Sequence, residues 1–150
     1  MNTRLDPREL AEAVMRRSVC HVQVGAVIYD RTGPFSWGWN GPGHNGLGLH
    51  AEVMAMRRAN PDRLWGATIA VASRWKKHGK VAPSKPCDAC AAAIQAVGLR
   101  VTFRDVNGWH SHGERTGPAV GNRLLTIKEA VALMMQANKV PASGINRRFV

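Results

Sequence analysis

Pro86-Cys87-Asp88-Ala89-Cys90 and, upstream, Leu49-His50-Ala51-Glu52 carry the residue types in this chain best suited to metal chemistry. A proline fixes φ near the value that a first helical residue needs. Pro86 therefore predicts a helix start, with Cys87 and Cys90, three apart, on one face of its first turn. Two thiols so placed can share one metal ion, and the positive end of a helix dipole favours the thiolate that binds it. Tetrahedral zinc takes four ligands, so a third has to come from elsewhere in the chain, and His50 is the candidate. Three protein ligands leave the fourth position to water, which zinc acidifies towards a pKa of about 7, and an open site of this kind is a catalytic one. A closed zinc knuckle would need a second cysteine pair, whereas the remaining cysteine, Cys20, stands alone. Two thiols merely buried in a core are the other alternative.

Several elements must position these residues. Asp6 as N-cap and Pro7 at the first helical position predict a helix over residues 7–17, with Leu10, Ala11 and Val14 on its apolar side. Val22 to Tyr29 is β-branched and short, and the turn Thr32-Gly33-Pro34 separates it from Phe35 to Asn40, which predicts a hairpin. Trp37 and Trp39 are expected on opposite faces of that hairpin, with Trp39 nearer the site. The glycine-rich residues 41–48 read as a loop leading into His50. A second helix follows over roughly 50–59, stopped by Asn60-Pro61. Ala67 to Ser73 is a third strand covered on both faces, and Arg74 to Lys85 is a long basic connection. A third helix carries Cys87, Cys90, Ile94 and Val97 and ends at Gly98. Leu99 to Phe103 is a fourth strand, reached through a helix and therefore parallel to the third. Residues 105–123 show no evident fifth strand, and a last helix runs over 125–136 with Thr126 as its N-cap.

At 150 residues the chain reads as a single domain, 1–150, able to bury a core without disulfides. No apolar run approaches the ~20 residues of a membrane span, so no membrane partner is expected. The N-terminus lacks an apolar leader, and with Cys20 left unpaired the expected compartment is a reducing cytoplasm. The net charge of +11 favours an anionic substrate or a polyanionic partner, against the plainer reading of a solvated basic surface.

The motifs together resemble those of the cytidine and deoxycytidylate deaminase superfamily, over roughly residues 10–105. Within it they look closest to the deoxycytidylate deaminases. Beside His50-Ala51-Glu52 and Pro86-Cys87-Asp88-Ala89-Cys90, the matching elements are Ser18-Val19-Cys20, Val24-Gly25-Ala26-Val27-Ile28 and Gly38-Trp39-Asn40-Gly41-Pro42. The resemblance implies an α/β fold, a three-layer α/β/α sandwich whose mixed sheet has helices on both faces. It implies one Zn2+ per chain on His50, Cys87 and Cys90, with Glu52 off the metal, moving a proton from water to the base and on to leaving ammonia. His50 and Glu52 are i and i+2, so they can converge only if His50 sits at or before the first helical residue. By the same resemblance Asn40 bonds the sugar, the Ala51 backbone meets the pyrimidine, and Val24, Gly25 and Trp39 lie along the substrate. Family members often oligomerise, which makes a homo-oligomer an expectation. Asn40 also reads simply as a turn residue after a strand.

The expected substrate is a pyrimidine nucleotide, dCMP first, with His44, Lys76 and Lys77 as candidates for its phosphate. The alternative is cytosine or adenine in single-stranded DNA or RNA. There Trp75, set among Arg74, Lys76, Lys77 and Lys80, would stack a base on a cationic track. Cys20 reads as a small buried apolar group. His110 and His112 are a further pair that could hold an accessory zinc.

Overall fold

The computed structural model describes residues 5–41, 50–111 and 125–139. A mixed five-stranded sheet of order β2-β1-β3-β4-β5 forms its middle layer. β1 (Val22–Asp30) lies antiparallel to β2 (Gly33–Trp39) on one side and to β3 (Thr68–Trp75) on the other. β4 (Arg100–Asp105) runs parallel to β3, and β5 (Gly108–Ser111) runs antiparallel to β4.

Alternation along the strands sets the two outer layers. Val22, Val24, Ala26 and Ile28 face one side with Ile69, Val71, Val101 and Phe103. They are covered by α2 (Ala51–Arg58), α3 (Asp88–Ala96) and α4 (Ile127–Lys139). Val27, Ala70 and Ala72 face the other side, beneath α1 (Pro7–Val14). Gly25 lies on that second face because a Cβ there would sit 2.3 Å from the carbonyl oxygen of Ala11, so α1 packs on bare backbone. Helices therefore cover both faces of a mixed sheet, as the resemblance implies.

Asp6 caps α1 through a bond from the Arg8 N–H, with Pro7 first in the helix, but the α-helix stops at Val14 and a 3-10 turn, Met15–Arg17, completes it. At α4, Thr126 Oγ accepts from the Glu129 N–H while the Glu129 carboxylate accepts from the Thr126 N–H, a reciprocal capping box.

Three further expectations need correction. Trp37 and Trp39 are two residues apart in one strand, so they share a face; Ser36 and Gly38 take the other, under α2. A register shift between Ile28 and Tyr29 lets Phe35 break that alternation and pack on the α2 side. The basic connection is shorter than expected, because β3 continues to Trp75 and the chain turns back at Gly79 (φ 72°) to bridge Val81 to Arg74. A fifth strand does exist: the Asp105 carboxylate accepts from the Asn107 N–H, a turn closes on Gly108 (φ 110°), and β5 returns along β4. Among the described residues no helix is long and apolar enough to cross a membrane.

Candidate active site

Sheet topology selects one end of the molecule. Because β1 is antiparallel to both neighbours, β2 and β3 run the same way; Trp39 pairs with Gly25 and Trp75 with Val22, so both strands finish beside the start of β1. The chain leaves β2 to enter α2 and leaves β3 to enter α3, and both helices lie on the same face. Two helix N-termini thus open at one end of the sheet. In an open α/β sheet that is where ligands bind, outside the carboxyl ends of the strands.

His50 is the N-cap of α2, with φ −70° and ψ 141°, and is 2% exposed. Its backbone is extended, which removes the difficulty that i and i+2 diverge on a helix. Glu52, the second helical residue, is 0% exposed. Carboxylates are rarely buried so completely without specific employment, and the first turn of a helix favours negative charge.

Cys87 is the N-cap of α3, and its Sγ accepts the Cys90 N–H at 3.4 Å. This shifts the helix start: Pro86 precedes the cap and is not the first helical residue. The thiol itself supplies the capping acceptor. Cys90 is buried and Cys87 exposed, and neither is in a disulfide. Cys20 is buried and unbridged, in keeping with a small apolar role.

Imidazole and two thiolates are a donor set suited to zinc, and all three stand at helix starts where the backbone favours a ligand's negative charge. In kind they fit that ion, and each stands at a helix start. As positioned, no three His, Cys, Asp or Glu side chains among the described residues come together closely enough to hold a metal ion. The Cys87 sulfur is turned onto its own helix.

The run-in to Cys87 is fixed by residues to which the sequence assigned no part. β3 and β4 stay paired only as far as Val71 and Phe103. Ser84, 1% exposed, fills the gap beyond: its Oγ reaches the carbonyl oxygens of Val71 and Arg104 and accepts the Arg104 N–H. Ser73 Oγ bonds the carbonyls of Ala82 and Pro83. Arg104 in turn donates to the Ser73 carbonyl and pairs with Glu12 of α1 at 3.3 Å. Ser84 stands three residues before Cys87, and a small hydroxyl residue ahead of a Pro-Cys pair was the available signal.

The expected substrate contacts are scattered. Asn40 is buried and employs its amide on β1, with Oδ1 accepting the Val24 N–H at 2.8 Å and Nδ2 donating to the Val22 carbonyl at 2.8 Å. It pins the end of β2 to β1. Val24 is a core residue on the α2 face, and Ala51 is a buried first residue of α2. Gly25 and Trp39 lie on the α1 face, away from His50, Cys87 and Cys90. Trp75 is half-buried against the α2 face, tilted towards His78 with ring centroids 6.4 Å apart, and Lys76 and Lys77 are exposed at the site's end of β3. His44 and His112 lie outside the described residues. His110 contacts the Asp105 carboxylate at 2.9 Å. The Asn107 N–H and then His110 hold that carboxyl below the usual range.

No curated protein sequence matches the chain. Among solved structures it is similar to two crystal forms of Acinetobacter baumannii RibD, at 18% and 19% identity and TM-scores of 0.42 and 0.43, over 87% of this chain and 32% of that one. The chain thus spans about a third of RibD. It is also similar to a mutant cytidine deaminase from Mycobacterium tuberculosis, at 20% identity and a TM-score of 0.46, over 83% of this chain and 93% of that one. The family model of the cytidine and deoxycytidylate deaminase zinc-binding region matches residues 3–104, most of the sheet and the whole of the two helix starts, and the chain belongs to that family.

Proposed function

We propose that the chain is a zinc-dependent hydrolytic deaminase that converts the cytosine of a (deoxy)cytidine nucleotide, dCMP first, to uracil. The observation that carries this reading is Glu52, wholly buried two residues after His50 at the start of α2, with Cys87 and Cys90 at the companion start of α3. A site that only stored metal would have no use for that carboxylate.

His50, Cys87 and Cys90 would hold the ion, which supplies, when bound, the Lewis acidity that makes water a competent nucleophile at neutral pH. Glu52 takes a proton from the attacking water and delivers it to the ring nitrogen, then carries a second to the departing amino group. One water is consumed, the C–N bond to the amino group breaks, and ammonia leaves. The net charge of +11 draws an anionic nucleotide towards the protein. On this reading Lys76 and Lys77, exposed just beyond β3, meet its phosphate.

A second reading, cytosine or adenine within a single strand, draws on Trp75 beside those two lysines at the end of β3. The test is ammonia release from dCMP, CMP, deoxycytidine, adenosine and a cytosine-containing strand. Turnover of dCMP is expected, with a loss of ~10²–10⁴-fold in Glu52→Gln while zinc stays bound. Zinc-loaded protein inert towards all five compounds would refute the assignment.

A further inference from the structure

The outer face of β2 carries a cluster that the zinc site does not use. Trp37 and Trp39 point the same way from an edge strand, about 6.7 Å apart by strand geometry. Arg17, from the 3-10 turn after α1, lies over the Trp39 ring at 5.3 Å from its centroid, and Arg58, from the last turn of α2, lies over it at 5.7 Å. Arg58 also donates to the Trp37 carbonyl at 3.2 Å, so the helix that carries His50 and Glu52 reaches round the sheet edge to this face. Trp37 is 38% exposed. Among the described residues neither arginine has a carboxylate partner: Asp30 is taken by Arg63, Glu12 by Arg104 and Asp105 by His110.

We propose that this face docks single-stranded nucleic acid, with Trp37 stacking an unpaired base and Arg17 and Arg58 meeting the flanking phosphates. The Trp39 ring lies within cation–π reach of both guanidiniums, and the N–H groups that Arg58 does not give to the Trp37 carbonyl, with those of Arg17, are available to anionic oxygens. An open tryptophan face among unpaired cations suits bases that are free of a partner strand; in a duplex the faces of the bases are covered by their neighbours. The inference does not rest on the deaminase reading: the face lies on the α1 side of the sheet, apart from the candidate zinc site, and binding there needs none of that site's residues.

The test uses full-length Glu52→Ala protein, so that bound strand is not consumed, and a labelled oligo-dC of about 12 nucleotides, followed by fluorescence anisotropy across a salt series. Trp37→Ala should weaken binding by about 5- to 150-fold, and Trp37→Phe should restore most of it. Arg17→Gln with Arg58→Gln should lower the slope of log K against log salt by about 1.4. Thermal melting of each variant separates loss of contact from loss of fold. Wild-type affinity in both variants would overturn the proposal, as would equal loss on a duplex of the same length. Poly-glutamate binding that depends on the arginines and not on Trp37 would reassign the face to an acidic protein. Failure of zinc-loaded wild-type protein to release ammonia, while strand binding persists, would sink the enzyme reading and leave this one standing.

Discussion

Replacing Gly38 with Ala would drive a methyl group into the contact between β2 and α2. An ideal Cβ at that position lies 2.7 Å from the Ala51 carbonyl oxygen, 2.7 Å from the Ala55 nitrogen and 2.7 Å from the Met54 Cβ. Ordinary contact begins at 3.4 Å, so α2 would have to retreat by about 0.7 Å. Two of the three obstructing atoms are backbone, and no change of rotamer relieves them. Overpacking of this kind costs about 1–3 kcal/mol, or a melting temperature lower by roughly 2–12 °C in a chain of this size. The same retreat moves the first turn of α2, and with it His50 and Glu52, relative to α3. A displacement near 1 Å at a reacting group costs on the order of 100-fold in rate, so Gly38→Ala should lose roughly 10- to 100-fold in kcat on dCMP. Zinc affinity, read by competition with a chromogenic chelator, should fall with it. Among the described residues nothing lies within 4 Å of an ideal Cβ at Gly41, so Gly41→Ala is the stability control and should melt within ~1 °C of wild type. A Gly38→Ala protein with wild-type melting, zinc affinity and turnover would show that the start of α2 is not held by close backbone contact.

Other perturbations separate the parts of the site. Cys90→Ser should give up its zinc to a chelator under conditions that leave Glu52→Gln fully loaded, as measured by atomic absorption. Ser84→Ala removes a buried hydroxyl that serves both β3 and β4, at a cost of about 2–3 kcal/mol in urea unfolding, and should also speed zinc loss. Bonds from the Thr32 hydroxyl and from Arg63 hold the Asp30 carboxyl below its usual range. A depressed folded-state pKa adds stability above the unfolded value near 3.9, and that stability is lost as pH falls through the folded value. Asp30→Asn should therefore be less stable than wild type by about 0.5–1 kcal/mol at pH 7, a gap that narrows in matched urea titrations as the pH falls below the unfolded carboxylate's range.

Local chemistry made much of the fold legible. Asp6-Pro7 and Thr126 with Glu129 are helix starts whose bonds form within one turn, so no distant partner is needed to read them. The errors arose where a distant partner decides. β3 runs on to Trp75 because β1 stays paired with it as far as Val22 and because Lys80 and Ala82 come back to bond Trp75 and Ser73, which composition does not disclose. β5 is a four-residue strand whose only local sign is the Asn107-Gly108 pair at its turn. Asn40 is a different case: its expected contact with the sugar stands beside the bonds that its amide makes to Val22 and Val24, which lie far away in sequence.

The candidate ligand residues are legible for a different reason: zinc demands such types and spacing, whereas strand order brings the two helix starts to one end of the sheet. Were β1 parallel to β3, or β2 on the far side of β4, the starts of α2 and α3 would open at different places and the same His-x-Glu and Cys-x-x-Cys would be inert. The antiparallel central pair makes β2 and β3 co-directional, the separation of β3 from β4 after Val71 admits Ser84, and Gly38 lets α2 descend onto the sheet. Each of these is a backbone event that any of several side-chain sets could exploit. Motif and topology therefore jointly bring the candidate zinc ligands to one end of the sheet, and on our proposal the tryptophan face of β2, on the α1 side and apart from the two helix starts, is the surface that takes a nucleic acid strand.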